Sequence, residues 1–178
     1  NLDLSFTEIR KLPDNLTVNG NLGLSALGGR KTIINQLLKN FRATCTSLDL
    51  CCNKIKKIPE NLKIQSNLYL NDCKIKKFPK KMNINGNLNL NDAKIKKLPE
   101  NLRVGGDLSL LLAPIKKLPK KLSNLTEIKK LAIEETKINR LPDKLNVEDY
   151  LDLRNSRIKK LPKKLQILKR LKILLTGN

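Results

Sequence analysis

Apolar positions recur along this chain in a frame longer than a helical or strand period. From Asn87 to Gly106 the sequence reads NLNLNDAKIKKLPENLRVGG, and its apolar places are Leu88, Leu90, Ile95, Leu98, Leu102 and Val104. The preceding segment, Asn67 to Gly86, repeats the arrangement 20 residues earlier. The same frame opens at Asn1, Asn21, Ser47, Asn67, Asn87, Asp107, Lys130 and Tyr150, with an incomplete copy from Arg170, so the spacings are 20, 26, 20, 20, 20, 23, 20 and 20. The 178 residues are therefore read as a single array of about eight coils and a partial ninth, expected to be a segment of a longer chain.

Each coil has the pattern L-x-L-x-x-[N/C/T/S/A]-x-I-x-x-L-P-x-x-L-x-V. The alternation in Leu68-Tyr69-Leu70 predicts a short strand. Three residues after the second Leu stands a small or hydrogen-bonding side chain, such as Thr7, Asn53, Cys73, Ala93 or Thr136. Such residues suit a buried bend, where polar groups satisfy the turning backbone of the next coil. Prolines such as Pro79 and Pro99 fix φ where the chain leaves the bend, and Gly20, Gly86 and Gly106 precede the next strand, where a tight turn would use them. In the long second coil, Ile33, Ile34, Leu37, Leu38 and Phe41 have helical spacing, which predicts a helix near 31–42.

These reiterated signatures resemble the leucine-rich repeat family over the whole chain. The 20-residue spacing with a Leu-Pro step is similar to the short repeats of bacterial leucine-rich-repeat proteins, including secreted effectors of the invasion-plasmid-antigen type. The resemblance implies an α/β repeat solenoid shaped as a horseshoe. Its short strands would form a concave parallel β-sheet, and its convex side would be mostly irregular. One coil cannot bury its apolar side alone, so stacking on neighbours is what makes the fold possible. The resemblance also implies protein recognition, with any catalysis supplied by other segments of a larger bacterial protein.

Charge changes the picture once the frame is known. Lys+Arg number 37 and Asp+Glu 16, a net charge of +21. The basic residues collect around and after the recurring Ile, giving Lys56, Lys57, Lys76, Lys77, Lys96, Lys97, Lys116, Lys117, Lys159 and Lys160 along one edge. Acids lie in or beside the strands, at Asp3, Asp49, Asp72, Asp92, Asp107, Glu134, Glu135 and Asp152. Two binding surfaces follow. The leading expectation is a non-enzymatic module that binds a protein through its strand face, using Tyr69, Asp72, Asp92, Leu111, Leu112, Glu134 and Asp152. The alternative is a polyanion surface, for nucleic acid, acidic glycan or anionic lipid, carried by the ten lysines. A structural scaffold with no discrete ligand is a third class.

Catalytic chemistry finds little support. Histidine is absent, which excludes imidazole acid/base work and His-ligated zinc. No Walker motif or dinucleotide loop occurs, no metal site or cofactor is expected, and no run of about 18 apolar residues would cross a membrane. Asp72 and Asp92, with Asn71 and Asn91, could offer oxygen ligands to Ca²⁺, but solvated strand ends are the simpler reading. Cys51 or Cys52 could act as a thiolate nucleophile if basic neighbours lowered its pKa, yet no orienting base is evident.

Overall fold

The computed structural model describes residues 1–9, 16–27, 34, 45–58, 62, 64–122, 128–166 and 172–175. Because L-x-L alternates across the pleat, both leucines of each coil point inward and the residue between them points out. The strands are β1 (Leu2–Asp3), β2 (Leu22–Gly23), β3 (Leu48–Asp49), β4 (Leu68–Tyr69), β5 (Lys81–Ile84), β6 (Leu88–Asn89), β7 (Asn101–Val104), β8 (Leu108–Ser109), β9 (Ile128–Ala132), β10 (Val147–Asp152) and β11 (Lys172–Leu174). Nine of them form one parallel sheet in the order β1-β2-β3-β4-β6-β8-β9-β10-β11. The chain is thus a parallel β-solenoid with coils of about 20 residues.

Register confirms the frame through most of the array. Leu2, Leu22, Leu48, Leu68, Leu88, Leu108, Leu131 and Leu151 lie side by side on successive strands, so the 26- and 23-residue coils absorb their extra residues away from this sheet. The last step differs from the sequence expectation. Tyr150 pairs with Lys172 and Leu151 with Ile173, so the ninth coil opens at Lys172 instead of Arg170. The two extra residues fall in the coil that contains the one-turn helix α1 (Lys163–Gln166), whose Leu165 is buried.

Helix is scarce among the described residues: α1, and single helical positions at Ile34 and Leu122. The helix expected near 31–42 lies outside the described residues except for Ile34, which is helical and buried. Sequence reading also missed a second sheet. β5 and β7 pair in parallel from Lys81↔Asn101 to Ile84↔Val104 in a two-stranded sheet of their own. Its signal was present in Met82-Asn83-Ile84 and Leu102-Arg103-Val104, whose inner residues are buried and whose middle residues are exposed.

Inside the coils runs one apolar core of stacked Leu, Ile and Val. Leu68, Leu70, Ile75, Leu88, Leu90, Ile95, Leu108 and Ile115 are each 0% exposed. At roughly 1.5–3 kcal/mol per fully buried aliphatic side chain, this column is the main stabilising force, and each coil owes its share to the coils beside it.

Polar ladders close the coil at both ends of the strand. In the bend, buried Asn53 donates through Nδ2 to the carbonyls of Leu24 (2.7 Å) and Leu50 (2.9 Å), and its Oδ1 accepts from the Leu27 N–H. Thr7 and Thr136 donate to Leu4 O and Ile133 O, and the Cys73 thiol to Leu50 O. Before the strand, Asn67 Oδ1 accepts from Asn87 N–H and Asn87 Oδ1 from Asp107 N–H, both at 2.8 Å. This second ladder explains the glycines. A Cβ on Gly86 or Gly106 would collide with the Oδ1 of Asn67 or Asn87, so glycine is needed there for close approach.

Left-handed backbone occurs elsewhere, on residues that are not glycine. Phe6, Ala26, Cys52, Asp72, Asp92, Leu112, Glu135 and Asn155 all have φ between 50° and 60°. Each is the second residue after its L-x-L, so the strain recurs coil after coil. It persists because that residue's N–H continues the ladder: Asp72 donates to Asn91 O, Asp92 to Leu111 O and Leu112 to Glu134 O.

Candidate functional site

Three columns of residues face outward along the main sheet, fixed by the register just described. The middle column contains Tyr69, Asn89, Ser109, Ala132 and Asp152. The next, two residues on, contains Asn71, Asn91, Leu111, Glu134 and Arg154, and the left-handed residues form the third. Asp72 and Asp92 therefore sit on strained bends at the strand ends, beside the strands and not on them.

The register spreads Asp92, Leu111, Leu112, Glu134 and Asp152 over four successive coils of the strand side. Leu111 is half-buried beside Asp92, whose N–H donates to the Leu111 carbonyl. Leu112 is 43% exposed, and its N–H donates to Glu134 O on the following coil. Glu134 and Asp152 lie one and two coils beyond. Tyr69, half-buried on β4, stands two coils before Ser109 and apart from this group. Asn91 helps to hold Leu111 in place: its Oδ1 accepts from Leu111 N–H at 3.0 Å and from Ser109 Oγ at 2.6 Å.

What ties the acidic end together is Arg154, a residue that sequence reasoning passed over. Its Nη2 lies 2.7 Å from Asp152 Oδ2 and 3.1 Å from Glu134 Oε2, and its Nε donates to both Asp152 oxygens. The Asp152 side chain is 3% exposed while that of Arg154 is 49% exposed, so a buried carboxylate anchors a guanidinium whose outer edge meets solvent. Tyr150 donates its hydroxyl to Asp152 Oδ2 at 3.4 Å. A signal for Arg154 did exist: the frame puts it 20 residues after Glu134 in the same column, with the opposite charge.

Titration follows from this geometry. Burial by itself would raise the Asp152 carboxyl, but hydrogen bonds from Arg154 and Glu134, together with the guanidinium charge, outweigh it and hold the pKa at about 2. Glu134 moves the other way, upward, chiefly through its hydrogen bond with Asp152 and then through burial. Arg154 is raised, most strongly by its hydrogen bond to Asp152. The cluster is an ordered Glu134–Arg154–Asp152 arrangement whose geometry is preset by the guanidinium contacts.

The thiol chemistry considered from the sequence meets an obstacle at Cys51. Burial, followed by the neighbouring Asp49 carboxylate, pushes its pKa up to about 12, so it is a thiol at neutral pH and not a nucleophilic thiolate. Cys52 is exposed on a left-handed bend, and Cys45 and Cys73 are buried. Among the described residues, no group of three or more His, Cys, Asp or Glu side chains is arranged to hold a metal ion. No helix among them is long and apolar enough to cross a membrane.

The expected lysine edge occupies the other side of the bend. Lys56, Lys57, Lys76, Lys77, Lys96, Lys97, Lys116, Lys117, Lys159 and Lys160 are all exposed, between a buried isoleucine such as Ile95 and a core residue such as Leu98. Lys76 N–H donates to Lys56 O at 3.0 Å, and Lys57 bridges Lys77, so these backbones stack in register. Among the described residues none of the ten forms an ion pair, whereas Arg140, in the equivalent place of another coil, lies 3.4 Å from Asp143.

The chain matches no protein-family model and no curated protein.

Proposed function

We propose that this solenoid is a leucine-rich-repeat recognition module that binds a protein partner through its strand face and catalyses no reaction itself. The observation that carries the reading is the exposed Leu111–Leu112 spot set against the anchored Arg154–Glu134–Asp152 cluster. An apolar centre with a rim of ordered, directional charge is the usual composition of a protein-binding hot spot. Hydrogen bonds to Asn91 and Asp152 hold both parts in place in the free chain, so binding requires little reordering of this face. The 20-residue period, the L-x-L strands and the stacked polar bend support the leucine-rich-repeat reading. A bacterial-effector context rests on the resemblance of the repeats.

The surface selects a partner that presents an apolar side chain to Leu111 and Leu112 and a hydrogen-bond acceptor to the open edge of Arg154. Affinity capture from host or source extracts, quantified for the wild-type chain and for Leu111→Ser/Leu112→Ser, tests this. Captured proteins should lose at least about tenfold in recovery, the equivalent of roughly 1.4 kcal/mol. If a partner contacting the strand face by cross-linking is recovered equally by the folded variant, the site is wrong.

A further inference from the structure

A groove of about 570 Å³ runs between two coils on the lysine edge. Phe78 and Pro79 from one coil and Leu98 and Pro99 from the next give it an apolar floor. Its rim is predominantly cationic, with Lys76, Lys77, Lys80, Lys96 and Lys97 exposed around a single carboxylate, Glu100. Exposed ammonium groups above an apolar strip make this surface amphipathic.

We infer that this edge is a docking surface for an anionic phospholipid bilayer. Charge is the first reason. Four consecutive coils present identical lysine pairs, from Lys56-Lys57 to Lys116-Lys117, with no ion-pair partner among the described residues. Coils hydrogen-bonded like parallel strands are about 4.8 Å apart, so these eight charges lie along an edge of only about 14 Å. A surface of fixed negative charge relieves their mutual repulsion, and each lysine brought to such a surface tightens binding about fivefold.

Composition favours the bilayer over a polynucleotide. With Lys159 and Lys160 the ladder reaches across six coils, about 24 Å of stacking, with the coil of Arg140 between them. Single strands need a row of stacking aromatics, and Phe78 is the one aromatic residue lining the groove. A headgroup layer is flat and grades from charged to apolar with depth. Lysine ammoniums reach the phosphates there while their stems, Phe78 and Pro99 meet the acyl boundary. Repetition of one residue pair also suits a ligand with uniform charge density, because identical contacts carry no sequence information.

Co-sedimentation of the chain with vesicles of phosphatidylcholine alone, and with phosphatidylserine added, provides the test. Lys76→Gln/Lys77→Gln/Lys96→Gln/Lys97→Gln is compared with the charge-matched control Arg103→Gln/Lys129→Gln/Lys130→Gln/Lys144→Gln, whose positions are exposed elsewhere on the solenoid. Binding should require phosphatidylserine and weaken steeply as salt rises from about 50 to 200 mM. The edge variant should lose about two to three orders of magnitude of affinity and the control far less. Equal loss in both variants assigns binding to net charge and overturns the inference. So does failure to bind at low salt, equal binding to neutral vesicles, or preferential binding of duplex DNA at the same salt.

Discussion

The strand face and the lysine edge are built by the same coils, yet they treat the repeat in opposite ways. At the outward strand position the residue changes at each step, from Asp49 to Tyr69, Asn89, Ser109, Ala132 and Asp152. On the edge the pair Lys-Lys returns unchanged at 56–57, 76–77, 96–97 and 116–117. Variation creates a surface that differs from place to place and so can recognise one shape. Repetition creates uniform charge density, which suits an extended anionic surface. The core beneath must hold the same register for both.

That shared core is where the comparison can be broken most severely. Leu108 is 0% exposed and pairs with Leu88 on one side and Leu131 on the other. Leu108→Ala should cost about 3–5 kcal/mol, as large buried cavities do, with measurable loss in urea unfolding. Both surfaces should fail together, since the substitution uncouples two coils. Loss of only one binding activity in a fully folded variant would show that the two surfaces are independent of this register.

The next test acts on the strand face alone. Asp152 is held at about 2, below its ordinary 3.8, so its contribution to stability is complete above the ordinary value and is lost as pH falls from about 4 toward 2. Glu134 is shifted upward and takes a proton earlier on the same descent. Arg154→Ala removes the partner that offsets burial, and the Asp152 titration should rise to 3.8 or above. Carboxyl-carbon NMR titration reads this directly. An unchanged Asp152 titration would show that the arginine does not set the cluster. The lysine edge should keep its binding properties throughout.

How much of the molecule is legible in the sequence depends on whether a feature repeats. Leu88, Leu90, Ile95 and Leu98 recur with their coil, so core, register and lysine ladder can be read from the residues alone. The ninth coil slipped by two residues because the coil containing α1 is two residues longer than the regular ones, and one local lengthening leaves no periodic trace. The β5–β7 sheet was missed because two coils of alternation look like ordinary connecting chain. Arg154 was missed for a different reason: its importance lies in a contact with Glu134 across coils, which appears only when the columns are aligned. Strain was invisible as well, since left-handed φ falls on Asp92 and Leu112 while the glycines serve close approach.

That strain separates stability from recognition on the strand face. Leu112 has φ 59° and is 43% exposed, so it combines an unfavourable backbone with little burial. Leu112→Gly relieves the left-handed cost, partly offset by the greater freedom of glycine in the unfolded chain. Stability should stay level or rise by up to about 1 kcal/mol in thermal unfolding, while partner capture falls. A clear destabilisation would mean that the leucine side chain packs as core and is not a contact held ready for a partner.

The smallest expected effect belongs to the edge. Stacked like charges on neighbouring strands oppose folding, so Lys96→Gln removes repulsion toward Lys76 and Lys116 while leaving the buried Ile95 and Leu98 in place. The gain should be about 0.2–0.5 kcal/mol at low salt, and it should shrink as the Debye length falls from about 10 Å at 0.1 M to 3 Å at 1 M. Paired thermal melts of wild type and variant across that range measure the difference. Arg140→Gln supplies the contrast, because its charge already faces Asp143 and its removal should not stabilise the chain. If Lys96→Gln destabilises instead, the ladder makes a favourable contact, and repetition on this edge reflects folding as well as charge.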